Sequence, residues 1–308
     1  KENFSQVHGE LMSLESLFLT GIYDRYYKDL DCANIVLYFA KYLHKEIIKE
    51  KLNDLDYNIS FDNFWDNHNK FKQLKFSIIS ISRETGLPKE TTRRKMHHLI
   101  KTKTLKKIDN KIIWEPMDTH KLSYNSLIEK EINEIIRFLN IMNKCTGIKL
   151  DTDKFKEAFR LNFSFIWYHF LDSQLKLLKI WQAKFKDLEL LLINLECSIQ
   201  GNRIYDKECS KYENHFFYTN STNFKEEIPS VSATSICDVT GIPRATCIRK
   251  LDKLTDMKLI SKDKITKRYS VNLNQKSNHG IERKKIIDEV ITVFSQLYLT
   301  ILRTVVKG

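Results

Sequence analysis

The chain is 308 residues long and carries 51 Lys and Arg against 39 Asp and Glu, a net charge of +12. With only 8 Gly and 4 Pro, turn-rich β architectures are disfavoured, and a mainly helical protein long enough for two domains is expected. Its longest uncharged apolar stretches, Leu161–Leu171 and Val290–Leu302, are too short to cross a bilayer, which points away from a membrane protein.

Along the chain, Leu11–Gly21 and Ala33–Leu52 read as amphipathic helices, the second with Ile35, Val36, Phe39, Ala40, Leu43 and Ile47 at helical spacing. Asp54–Lys72 is a polar, aromatic connector. In Ile79–Leu99 a short helix over about Ser80–Thr85 should stop at Gly86, which can take the left-handed geometry of a helix end. Pro88 then opens a second helix, where its missing N–H costs nothing. Thr92, Met96 and Leu99 fall at i, i+4 and i+7 and should face the first helix, leaving Lys89, Glu90, Arg93 and His97 exposed. Leu105–Trp114 alternates around Asp109-Asn110, a dipeptide suited to a tight hairpin turn, with Lys107 and Lys111 near its tip. A helix over Leu127–Met142 closes this half.

The second half begins with Phe155–Gln200, predicted as a single long helix rich in aromatics, and Gly201–Ser230, predicted as a polar loop. Thr234–Leu254 then repeats the pattern of two short helices punctuated by Gly241 and Pro243. A hairpin over Leu259–Val271 follows, with Lys264, Lys267 and Arg268 on or near its tip. The last helix, Ile281–Val306, is apolar almost all round after Ile286 and suits a helix core or a dimer interface equally well.

Sliding the chain by 155 positions lays Ile79–Lys107 over Thr234–Lys262. Ser80/Ser235, Thr85/Thr240, Gly86/Gly241, Pro88/Pro243, Thr91/Thr246, Arg94/Arg249, Lys95/Lys250 and Leu99/Leu254 are among the identities. At a slightly larger offset, Tyr27-Lys28-Asp29-Leu30-Asp31 matches Phe185-Lys186-Asp187-Leu188-Glu189. A doubled ancestral unit is the expected origin. The copies also hold the charge. Phe76–Glu115 has ten Lys and Arg against four acids, and Val231–Ser270 nine against four, so they carry +6 and +5 of the chain's +12. Cations gathered on two modules suit a polyanionic partner.

Both modules resemble the winged helix-turn-helix of IclR- and MarR-type bacterial regulators. The likeness rests on Gly-Leu/Ile-Pro-Lys/Arg-x-Thr, an Arg three residues after that Thr, and Leu at the helix end, and it covers roughly 80 residues in two copies. It implies a mainly α protein with two winged helix-turn-helix modules, each a three-helix core plus a β-hairpin wing, embedded in an internally duplicated helical scaffold. The repeats are expected at 1–146 and 147–308, with modules at about 60–116 and 222–273. The function implied is DNA-binding transcriptional regulation in the cytoplasm, the partner being double-stranded DNA held by a monomeric pseudo-dimer or by a homodimer. A replication initiator and a winged-helix interaction scaffold are the alternatives.

Within that reading, Arg93 is the candidate for a bidentate contact to guanine, and Lys89 and Arg94 for phosphate contacts. Glu90, Thr91, Lys107 and Lys111 complete the first candidate set. The second is Arg244, Thr246, Ile248, Arg249, Lys264, Lys267 and Arg268. Here Ile248 replaces Arg93, Ala245 replaces Glu90 and Asp252 replaces His97, so Ile248 either meets a thymine methyl or marks a module turned to a protein.

The six cysteines form no CxxC pair, which suits buried thiols in a reducing compartment. The histidines lack partners at metal-ligand spacing, and no phosphate-cradling glycine loop or nucleophile elbow is present. No catalytic residue, metal or cofactor is therefore expected. The aromatic run Phe163–Phe170 and Phe216-Phe217-Tyr218 are candidates to line a pocket for a small-molecule effector.

Overall fold

Asp29 and Asp187 begin the two central helices of the protein in the same way. In the computed structural model, which describes residues 4–54, 59–71, 73–109, 111–148, 151–208, 230–272 and 278–307, α1 (Phe4–Arg25) ends at a turn where Tyr27 and Lys28 have positive φ. Asp29 then accepts the N–H groups of Asp31 and Cys32 and starts α2 (Leu30–Asn53). The second half has α7 (Thr152–Leu161), α8 (Phe163–Phe185) and α9 (Leu188–Glu208). Lys186 takes the left-handed conformation, and Asp187 accepts the N–H of Glu189 at 3.1 Å.

The expectation of a single helix over Phe155–Gln200 is therefore corrected. Asn162 leaves helical geometry after α7, and Lys186 breaks the chain again before α9. The polar loop expected at Gly201–Ser230 is corrected at its first residues, because α9 runs through Gly201 to Glu208. Residues 209–229, including Phe216-Phe217-Tyr218, lie outside the described residues.

Between α2 and the first module lie a short helix α3 (Phe64–Asn67) and a 3-10 turn at His68–Lys70. The module comprises α4 (Ile78–Thr85), α5 (Lys89–Lys101) and the antiparallel hairpin of β1 (Leu105–Ile108) and β2 (Lys111–Trp114), followed by α6 (Asp118–Thr146). Its counterpart is α10 (Ala233–Thr240), α11 (Arg244–Asp256), β3 (Ile260–Lys262) and β4 (Tyr269–Val271), followed by α12 (Asn278–Lys307).

The local physics is the same in both. Ser77 and Ser232 cap their helices by accepting the N–H groups of Ser80 and Ser235. Thr85 and Thr240 donate back to Ile81 O and Ile236 O, at 2.8 and 2.7 Å. Gly86 and Gly241 then sit at φ 73° and 68°, where a side chain would be strained.

Each module stands on its own scaffold helix, α4 and α5 on α2, and α10, α11 and β4 on α9. Across the halves the partners are exchanged: α2 packs on α8, and α1 packs on α9. Gly86 lies against Lys179 and Gln182 of α8, and Gly241 against Asp24 of α1 and Lys28 just after it. Reciprocal exchange of this kind is the contact pattern of a two-fold pair. Residues of both halves fill one apolar core.

The symmetry fails where the flanking helices close. A Cβ on Gly21 would come within 2.5 Å of Leu127 Cδ1, so glycine lets α6 lie close on α1. Lys179 stands at the matching place on α8 and lines an open groove of about 1040 Å³ between α8 and α12. Helix α12 also buries Phe294, Leu297, Tyr298 and Ile301 in the shared core.

Candidate nucleic-acid interface

Helix α5 buries Thr92, Met96 and Leu99 and exposes Lys89, Glu90, Arg93, Arg94 and His97, as its apolar spacing requires. Two bonds hold α4 and α5, one each, on the scaffold. Asn34 Nδ2 donates to Thr85 O at 3.0 Å, and Lys95 forms an ion pair with Asp29. Lys41, itself buried, adds a link from α2 to Glu84 at 3.6 Å and Asp172 at 3.3 Å.

On the exposed face, Arg93 is clamped by Glu90. Its Nε and Nη2 donate to the two carboxylate oxygens at 2.9 and 2.5 Å. That hydrogen bonding holds the Glu90 carboxyl below, and the Arg93 guanidinium above, their ordinary ranges. Thr91 is half-buried, while Lys89 and Arg94 are exposed and have no ion pair among the described residues. The hairpin carries Lys107 and Lys111, both exposed, on either side of the turn at Asp109 (φ 51°). Asn110 lies outside the described residues. Lys106 is paired with Glu115 at 3.0 Å.

Helix α11 buries Cys247, Leu251 and Leu254. Arg249 is exposed beside it, whereas Thr246 and Ile248 are half-buried. Arg244 donates to Thr234 Oγ1, and Arg268 turns back to Ser230 O at 2.7 Å, so both exposed guanidinium groups are held in place by neutral oxygens. Lys264 and Lys267 are exposed around the second hairpin's tip. A residue that the sequence pattern did not single out, Lys262, reaches Asp252 at 3.1 Å and ties the hairpin to the exposed face of α11.

Lys95 and Lys250 contribute to the cationic excess in the sequence but not to the exposed face. Lys250 is buried between Asp187 at 2.6 Å and Glu189 at 3.0 Å. The signal was present in the repeated Asp29 and Asp187, which recur together with the two lysines. Of the candidate cations, Lys89, Arg93, Arg94, Lys107 and Lys111 are exposed on one module and Arg244, Arg249, Lys264, Lys267 and Arg268 on the other; Arg83, Lys101, Lys103 and Lys106, and Lys253, Lys258 and Lys262, are exposed as well. Comparison with protein-family models, with curated proteins and with solved structures returned no match.

Elsewhere, Phe163, Ile166, Trp167 and Phe170 are fully buried. The rings of Phe163 and Trp167 stack, as do those of Trp167 and Phe170, and the Trp167 indole donates to Tyr124 Oη at 2.6 Å. These four residues of the expected effector site are packed core, whereas Phe165, Tyr168 and His169 are half-buried. Among the described residues no three His, Cys, Asp or Glu side chains are placed to hold a metal ion, and no helix is long and apolar enough to cross a membrane.

Proposed function

We propose that the protein is a DNA-binding transcriptional regulator that presents two winged helix-turn-helix modules as an intramolecular pseudo-dimer. The observation that carries this reading is the exchange of partners between the halves, α2 on α8 and α1 on α9, which relates two exposed cationic helix–hairpin faces as a two-fold pair would. In this reading α5 and α11 are the recognition helices, β1–β2 and β3–β4 the wings. A duplex presents its grooves with its own local two-fold symmetry, so two such faces meet two half-sites.

The faces divide the work by chemistry. Arg93, oriented by Glu90, reads a base edge in the major groove. Lys89, Arg94, Lys107 and Lys111 on one side, with Arg244, Arg249, Lys264 and Lys267 on the other, neutralise phosphates and set the register. Because Ile248 and Ala245 stand where Arg93 and Glu90 stand in the first copy, the two half-sites differ in sequence.

Selection of bound fragments from randomised duplex DNA, followed by footprinting, tests the reading. The expected result is one imperfectly palindromic site with half-sites roughly 34 Å, about one helical turn, apart. Duplex binding that is undetectable at low salt would remove the proposal, and a footprint over iterated repeats would favour an initiator.

A further inference from the structure

The two hairpins differ where they project. Beyond the pair Ile108↔Lys111 the first has only residues 109 and 110, whereas beyond Lys262↔Tyr269 the second has residues 263–268. At the tip of this longer loop stands Ile265, 90% exposed, the highest exposure of any large hydrophobic among the described residues. A lone exposed apolar residue is ordinary on a protein surface, but this one is held out by a built turn.

Asp263 Oδ1 accepts the N–H of Ile265 at 2.9 Å, the N–H of Thr266 at 2.5 Å and the Thr266 hydroxyl at 2.8 Å. Asp263 N–H reaches Arg268 O at 2.9 Å, and the N–H of Lys267, at φ 56°, donates back to Asp263 O at 3.1 Å. Arg268 fastens the outgoing strand to Ser230, and Lys262 fastens the incoming one to Asp252 on α11. The turn is therefore fixed at its tip and at both ends of its base. Lys264 precedes Ile265, and Lys267 follows it two places on, with neither in an ion pair among the described residues.

We propose that Ile265 is a wedge that the second wing drives between base pairs from the minor groove, bending the duplex. The inference rests on the DNA-binding reading above. Lys264 and Lys267 bring the tip to the phosphates that line the groove, where a branched apolar side chain has no partner except the sugars and the faces of unstacked bases. A rigid tip suits insertion because no loop order has to be gained on binding. Apolar wedges of this kind kink DNA by roughly 20–90° toward the major groove. The first wing, with its two-residue turn, has no such tip, so the bend falls on the half-site held by the second module.

The test uses the full chain and end-labelled duplexes from the selected pool, with energy transfer between the ends and 2-aminopurine at successive steps of the second half-site. Wild type should draw the ends together and raise 2-aminopurine fluorescence at one step, most strongly at a flexible pyrimidine–purine step. Ile265→Ala should still bind but leave the duplex straight, while Ile265→Leu should retain the bend. Binding without any approach of the ends, or an unchanged bend in Ile265→Ala, overturns the wedge and leaves the regulator reading standing. Absence of all duplex binding overturns both.

Discussion

The side-chain amide of Gln73 holds the backbone of Trp114 at both of its polar groups. Gln73 Oε1 accepts the Trp114 N–H at 2.8 Å, and Gln73 Nε2 donates to the Trp114 carbonyl at 3.0 Å. In the second hairpin the outer edge of β4 is bridged by backbone instead, nearer the turn: Val231 and Tyr269 exchange both N–H···O bonds at 2.8 Å, and Tyr269 is opposite Lys262, whereas Trp114 is opposite Leu105 at the base of the first hairpin. Gln73→Ala should cost about 1–3 kcal/mol, because it strips two partners from a half-buried backbone. Gln73→Glu should cost more, since a carboxylate can accept from Trp114 N–H but repels its carbonyl. The midpoint of urea unfolding checks both, and a Gln73→Ala midpoint equal to wild type would mean that water substitutes fully for the amide.

Lys250 and Arg249 are neighbours with opposite duties. Lys250 is buried against Asp187 and Glu189, which are themselves 30% and 22% exposed. Lys250→Met leaves two carboxylates facing each other and should destabilise the fold by roughly 1–3 kcal/mol, solvent screening of the acids reducing the cost of a fully buried pair. The salt dependence of DNA binding should stay as it was. Arg249→Ala should do the reverse, leaving the melting temperature unchanged and lowering the slope of log K against log salt by about one unit. A drop in slope for Lys250→Met would show that this lysine swings outward to phosphate.

These two residues also mark how far the sequence could be read. The punctuation Gly86-Leu87-Pro88 and Gly241-Ile242-Pro243 acts over a few residues, so the two short helices of each module were legible without tertiary knowledge. The burial of Thr92, Met96 and Leu99 followed from the period alone. Lys95 and Lys250 looked like every other cation, because only the tertiary partners Asp29 and Asp187 turn them inward. The break before α9 was hidden for a different reason: a lysine, not a glycine, takes the left-handed conformation at 186. Local propensity alone would have continued that helix. The exchange of α1 and α2 between the halves depends on contacts far apart in sequence, which no local pattern carries.

Two buried groups of opposite character should shape the pH dependence of stability. Burial pushes the Glu15 carboxyl from 4.5 up to about 7, against the pull of its hydrogen bond from Gln174 at 2.7 Å. Between those values the folded protein keeps a proton that the unfolded chain has lost, so stability falls as pH rises from about 4.5 to 7. Burial pushes His44 the other way, from 6.5 to about 3, with Phe64 stacked on its ring and neither ring nitrogen hydrogen-bonded. Its contribution is present above 6.5 and is lost as pH falls toward 3. The gain in melting temperature of Glu15→Gln over wild type should therefore grow from pH 4.5 to 7, reaching the equivalent of about 3 kcal/mol. That of His44→Phe should grow as pH falls below 6.5. Flat differences across both windows would mean that these groups titrate normally in the fold.

The Glu90–Arg93 clamp makes the sharpest prediction about recognition. Glu90 lies on the face proposed to meet DNA, where a carboxylate repels phosphate, so its benefit must come through Arg93, whose guanidinium it fixes by two hydrogen bonds. Removing it trades discrimination for charge. Glu90→Ala should raise affinity for unrelated duplexes and steepen the salt slope by about one unit, as a cation is released to phosphate. The same variant should lose preference at one base position, because a guanidinium that swings freely no longer presents both donors to a guanine edge. Arg93→Ala should lose that preference without the gain in affinity, and the double variant should behave like Arg93→Ala. In binding to a library varied one position at a time, a Glu90→Ala profile with the base preference of wild type would show that Arg93 is positioned by DNA alone. In that case the clamp of the free protein would contribute nothing to reading.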